Sequence, residues 1–196
     1  MKKWALLMIM MIMSISVIVI GCEIKESTKE EVYEEFHKKI TTMSSYSCIA
    51  KVEIWSNKSQ SEYTFIHEHK KPSYYKLEIV EPEELKGKII EYTDKNINIK
   101  NPDIDDLITL PNTTPNNQYL FIGDFISNYI NNEEVEISLL DDNLIIKTPI
   151  SGNSKYFSTE TLYVDSKTKN PKYLEILDKE GNVKIKVTYE EVKFIK

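Results

Sequence analysis

The residues with the most specific chemistry are Val19-Ile20-Gly21-Cys22. A small residue directly before a cysteine, with aliphatic residues ahead of it, is the pattern at which a thiol receives a diacylglyceryl group and the preceding segment is then removed. Lys2 and Lys3 form a basic front, and the run from Trp4 to Ile20 has no charge and only two hydroxyls, Ser14 and Ser16. Such a run lies near the lower limit of about 17 residues for a membrane span. Its basic front and small-residue exit are those of a signal peptide instead. Cleavage is expected between Gly21 and Cys22, with covalent diacylglyceryl lipid on Cys22 and N-acylation of the new terminus as a further option. Two acyl chains suffice for stable anchoring, so the chain is expected on the extracytoplasmic face of a membrane. The segments are then a signal peptide over 1–21, a lipidated tether over 22–30 and one domain over 31–196.

Few other residues are spaced for reaction chemistry. His67-Glu68-His69, on a strand, puts both imidazoles on one face, and such a pair can be half of a metal site. A third ligand would have to be His37, and Lys70 and Lys71 disfavour a cation, so a strand end reaching solvent is the preferred reading. The acid pairs Glu83-Glu84, Asp105-Asp106, Glu133-Glu134, Asp141-Asp142 and Glu190-Glu191 are sequence neighbours, which point apart in strands and turns. They do not form a converging glycosidase-like pair. Gly87, Gly123, Gly152 and Gly181 are isolated, which leaves no phosphate-cradling loop and no nucleophile elbow. No catalytic residue, metal or cofactor beyond the lipid is expected.

Composition narrows the partners. Without Met1–Gly21 the chain has 175 residues, with 23 cationic side chains against 31 acids, a net −8. That sign, without a basic run, excludes nucleic acid and charge-driven adsorption to anionic lipid. All 25 basic residues are lysine, so no bidentate guanidinium clamp is available. With Cys22 lipidated, Cys48 has no partner in its own chain. It shares strand parity with Tyr46, Ala50, Val52 and Ile54, which favours a buried thiol and leaves a disulfide-linked homodimer as the alternative.

These residues need elements to hold them. Val32, Phe36, Ile40 and Met43 recur at helical spacing over Thr28–Ser44, with Ser27 or Thr28 as N-cap. From Tyr46 the period becomes two, and strands are expected over Tyr46–Ser56, Glu62–His69, Ser73–Val80, Lys88–Thr93 and Ile97–Lys100. Pro102–Asn117 reads as an irregular excursion with a turn of helix, and Leu120–Asn131 as a second helix. Strands return at Val135–Leu140, Asn143–Thr148, Tyr156–Val164, Lys172–Asp178 and Val183–Phe194. The expected class is α+β, with a strongly curved antiparallel sheet whose concave face is covered by two or so helices.

The order and chemistry of several segments resemble a known family. Tyr63, Phe65, Lys70-Lys71-Pro72, Tyr74-Tyr75 and Leu77-Glu78, followed by Pro82 and Leu85-Lys86-Gly87, are similar to the LolA/LolB-like superfamily, whose sheet is a half-barrel. So are the closing strands Leu162-Tyr163-Val164-Asp165, Asn170-Pro171, Leu174-Glu175-Ile176, Gly181, Val187 and Tyr189. Within that superfamily the chain looks most like the GerS-type germination lipoproteins of spore-forming bacteria. The resemblance implies a non-enzymatic protein of the forespore intermembrane space. It would bind and license the cortex-modifying N-acetylmuramoyl-L-alanine amidase CwlD, so that spore cortex can be degraded in germination. No partner-binding residue carries over by motif. The alternative is an anchored protein that holds lipid or lipoprotein in a half-barrel cavity. The arginine with which the LolA carrier holds its lid has no counterpart here, and a lipidated chain does not diffuse freely.

Cys22→Ala should abolish metabolic labelling with palmitate and accumulate full-length precursor, because attachment and cleavage both need the thiol. Equal labelling of the variant would overturn the anchor.

Overall fold

The computed structural model describes residues 27–101, 104, 106–113, 121–150 and 156–196. Gly21, Cys22, Asp105, Leu120 and Gly152 lie outside the described residues.

Helix α1 (Lys29–Thr42) starts where the sequence places it. The Thr28 hydroxyl accepts from the Glu31 amide and the Glu31 carboxylate accepts from the Thr28 amide, a reciprocal cap. Its apolar stripe, Val32, Phe36 and Ile40, is fully buried. At the far end Lys71 Nζ donates to the Thr41 carbonyl at 3.1 Å, placing a cation on the free carbonyls of the last turn.

Eleven strands form one antiparallel sheet in the order β6-β5-β4-β3-β2-β1-β11-β10-β9-β8-β7. On one side run β1 (Ser45–Trp55), β2 (Gln60–Lys70), β3 (Tyr74–Glu81), β4 (Ile89–Tyr92), β5 (Asn96–Asn101) and β6 (Asp106–Pro111). On the other run β7 (Glu136–Leu140), β8 (Asn143–Pro149), β9 (Thr159–Asp165), β10 (Pro171–Leu177) and β11 (Val183–Ile195). Each half is a meander, and the first and last strands join them along Ser45↔Ile195 to Ile54↔Ile185. Among the described residues β6 and β7 are the two sheet edges, so the sheet stays open. Helix α2 (Ile122–Ile130) interrupts the chain between the halves and lies, with α1, on the apolar face. This is the expected α+β arrangement, an antiparallel sheet with helices on one face.

Strand parity decides which side chains reach the core. Tyr46, Cys48, Ala50 and Val52 of β1 are buried, as are Leu144 and Ile146, Leu162 and Val164, and Leu174 and Ile176. Two expectations are corrected. The stretch read as an irregular excursion holds strand β6, paired residue for residue with β5. Leu107-Ile108-Thr109-Leu110 has the strand propensity, and Pro111 stands at its end, where a missing amide is tolerated. The His67–His69 end of β2 does not reach solvent: His67 is 0% and His69 3% exposed. The acid pairs behave as read, with Glu83, Glu84, Glu133, Glu134, Asp141, Asp142, Glu190 and Glu191 all exposed.

Cys48 is 4% exposed and unpaired, and burial pushes its thiol up to about 12. A thiol that is neither ionised nor accessible is inert. The native protein should therefore resist a charged thiol reagent at pH 8 and run as a monomer on a non-reducing gel, with full labelling only after denaturation. Native labelling at the denatured rate would show that β1 is not buried as described.

Candidate functional site

The described residues hold their least ordinary chemistry where α2 meets the sheet. Nine residues are too few for a helix to persist alone, so α2 depends on its packing. Ile122, Phe125, Ile126 and Tyr129 are buried, and Phe121 just before them sits 4.5 Å from the His67 ring, 4.3 Å from Tyr75 and 5.5 Å from Tyr92. Gly123 permits the close approach. A Cβ there would stand 2.8 Å from Tyr75 Oη, and its absence lets that hydroxyl reach Asp124 Oδ1 at 2.7 Å. Burial, and then the Asp124 carboxylate, raises the Tyr75 hydroxyl well above its ordinary range, so it stays a donor.

A second polar tie holds the other end of α2. Asn128 Nδ2 donates to the Pro149 carbonyl at 2.9 Å and to Glu160 Oε1 at 2.6 Å. Glu160, on β9, is 4% exposed. Burial pushes its carboxyl up to about 7, with Asp124 adding to the rise and the Asn128 bond opposing it. Thr148, directly across on β8, has a buried hydroxyl with no partner among the described atoms.

The histidines are structural. His67 Nε2 lies 3.3 Å from the Tyr46 hydroxyl, Nδ1 has no partner among the described atoms, and burial, then His69, lowers its pKa to about 3. His69 stacks on Tyr75 with its Nδ1 3.1 Å from the Tyr74 carbonyl, and His37 Nδ1 meets the Tyr129 hydroxyl at 3.0 Å. Among the described residues no group of three His, Cys, Asp or Glu could hold a metal. The expected pair is therefore on one face, as parity requires, but under Phe121 and without a third ligand.

Two surfaces could receive a partner. A cleft of about 460 Å³ opens between the end of α1, the β2–β3 hairpin and α2; Ile40, Met43, Pro72, Ile126 and Ile130 line it beside Lys71, His69, Asp94 and Asp124. The other is strand β6, all six residues of which are exposed. Neither surface was named from sequence. The strand could have been found from its four-residue β-prone run. The α2 ties could not, because each joins residues far apart in the chain.

An open antiparallel sheet with two helices on its apolar face is the α+β class of fold expected from the sequence. The chain belongs to the YdcC-like sporulation protein family, whose model matches residues 1–196. The sporulation protein YdcC of Bacillus subtilis (strain 168) is 20% identical over 200 residues, and the chain spans 59% of that relative's length. The GerS lipoprotein, solved in complex with the CwlD amidase from Clostridioides difficile, is 48% identical with a TM-score of 0.54, covering 87% of this chain and 98% of that one. An uncharacterized conserved protein from Thermus thermophilus shares the fold at 13% identity and a TM-score of 0.51, covering 87% of this chain and 89% of that one. The family resemblance read from the residues is borne out.

The buried carboxyl gives a pH test of the α2 seat. Glu160 has a raised folded pKa, so its stabilising protonation is fully present below its unfolded value near 4.5 and is lost as pH rises through about 7. His67 runs the other way, its contribution lost as pH falls below its unfolded value of 6.5 toward 3. The two slopes oppose one another in the whole protein, so a difference measurement is needed. Glu160→Gln keeps the acceptor for Asn128 and removes the charge. It should match the parent near pH 4.5 and exceed it at pH 8 by on the order of 2–3 kcal/mol in urea unfolding. A difference that does not change with pH would exclude a buried ionisable Glu160.

Proposed function

We propose that this chain is a non-enzymatic, membrane-anchored lipoprotein that binds and licenses an N-acetylmuramoyl-L-alanine amidase of the CwlD kind, so that spore cortex can be degraded in germination. The observation that carries the reading is the 48% identity to a GerS lipoprotein solved in complex with that amidase. Membership of a sporulation protein family supports the setting. Lipid on Cys22 would hold the domain at the extracytoplasmic face of a membrane, in the forespore intermembrane space.

The cleft beneath α2 supports one other reading, an anchored protein that holds an acyl chain. Its volume of about 460 Å³ is of ligand size. Asp94, Asp124 and Lys71 among its lining residues make it a poor sheath for hydrocarbon, since each charge would need to be desolvated or paired.

Co-expression of the full chain with the amidase, followed by size exclusion and a muropeptide assay, separates the readings. A co-eluting complex is expected, with amidase turnover higher than for the enzyme alone and no hydrolysis by this chain alone. Salt should weaken the complex only modestly, because the exposed surface proposed to dock is uncharged from Leu107 to Leu110. Separate elution with unchanged turnover would defeat the proposal, and a lipid released on extraction of the purified chain would then favour the acyl-binding reading.

A further inference from the structure

We propose that the free edge of β6 is the amidase-docking site, where an extended segment of the enzyme adds to the sheet as a further strand; this rests on the reading under Proposed function. Edge strands of soluble proteins are normally blunted by charge, proline or cover, because their unpaired backbone groups template pairing with another chain. From Leu107 to Leu110 strand β6 has no charge, and Leu107, Ile108 and Leu110 are 56%, 49% and 45% exposed. The opposite edge is better covered: on β7, where Glu136 meets Lys147 of β8 at 3.3 Å, Ile137 and Leu139 are half-buried, whereas all of Leu107–Leu110 on β6 is exposed.

The ladder shows which backbone groups are on offer. The Asn112 amide donates to the Lys95 carbonyl at 2.8 Å, which makes that pair a hydrogen-bonded one. Bonded and non-bonded pairs alternate along an antiparallel ladder. In the observed register Leu110↔Ile97 and Ile108↔Ile99 are then bonded, while Thr109↔Asn98 and Leu107↔Lys100 are not. The amides and carbonyls of Leu107 and Thr109 therefore point away from β5, toward the open edge. Side chains add a preference of face. Ile108 and Leu110 lie opposite Ile99 and Ile97, which continue the row through Ile90 and Tyr92 to the face that carries α2. The apolar face thus runs past its helical cover to β6. An incoming strand with apolar side chains on that face, against Ile108 and Leu110, fits this edge, which is the β-augmentation mode of recognition. The occupant is the amidase because the GerS chain at 48% identity was solved with that enzyme.

The test uses the full-length protein in detergent with purified amidase, reading Kd by calorimetry and oligomeric state by light scattering. Thr109→Pro removes one outward amide and leaves the β5–β6 hydrogen bonds in place. Thr109→Val, the control, loses the hydroxyl bond to Asn98 Oδ1 (3.0 Å) but keeps the amide. The proline variant should weaken Kd at least about tenfold and the valine variant by less than about twofold, with both melting near the parent. If the proline variant unfolds, Leu110→Lys takes its place with the same expected loss. An amidase complex of parental affinity in the folded edge variant overturns the docking site while leaving the amidase reading intact. No complex with the unmutated chain defeats that reading itself. A proline-sensitive self-association with unchanged amidase binding gives the edge to a second copy and also overturns the proposal.

Discussion

One apolar face of an eleven-stranded sheet has to be kept from water by two helices of fourteen and nine residues. Helix α1 meets this demand with local means: a reciprocal cap at Thr28, a buried stripe, and Lys71 at its last carbonyls. Helix α2 is too short for local means and is held by the sheet. Its seat combines rings, a glycine that lets Tyr75 pass, and two polar ties at Asp124 and Asn128. Most other unusual features follow from that seat. His67 is neutral because Phe121 covers it, Glu160 is raised because α2 buries it, and the cleft exists because α2 and α1 do not close over the β2–β3 hairpin.

The same shortage of cover explains why the two ends of the sheet differ. Near its middle, where β1 and β11 join, the inner side chains are sealed: Val187 and Leu174 have no exposure and Tyr46 has 1%. Toward β6 the strands shorten and the inner positions Ile97 and Ile99 are only half-buried. The paired residues beyond them are exposed. Hydrophobic burial is roughly proportional to area, so an uncovered apolar row is stabilised by whatever covers it. Under the proposed function, that row would serve as an interface. The polar ties of α2, by contrast, restrict movement of the cover and keep the core sealed without help from a partner.

Much of this could be read from the sequence, and the limit has a physical form. Period 3.6 over Val32, Phe36 and Ile40 and period 2 from Tyr46 onward locate α1 and ten of the eleven strands, because burial on one face imprints its period on the chain. The missing strand, β6, is exposed on both faces and so carries no such imprint; its neighbouring Pro and Asn residues dominate the local pattern. The His67–His69 pair shows the complementary limit. Parity places both rings on one face, but whether that face is wet depends on Phe121, far along the chain. The α2 ties span 49 residues between Tyr75 and Asp124 and 32 between Asn128 and Glu160, distances at which no local pattern connects the partners.

If this chain raises an amidase's activity, as proposed, it does so by binding one of the enzyme's states better than another. Strand addition suits that task, because it asks the enzyme to present an extended segment and so favours conformers in which that segment is ordered. The proposed anchor adds a second effect without any new contact. Thr28, where α1 is capped, lies six residues after Cys22, so lipid there would hold the domain within about 20 Å of its anchor point even with the tether fully extended. Confinement near a membrane raises effective concentration, and a modest intrinsic affinity then suffices for occupancy. An uncharged, partly apolar edge gives little long-range steering, and little would be needed between partners that the proposed anchor held close together.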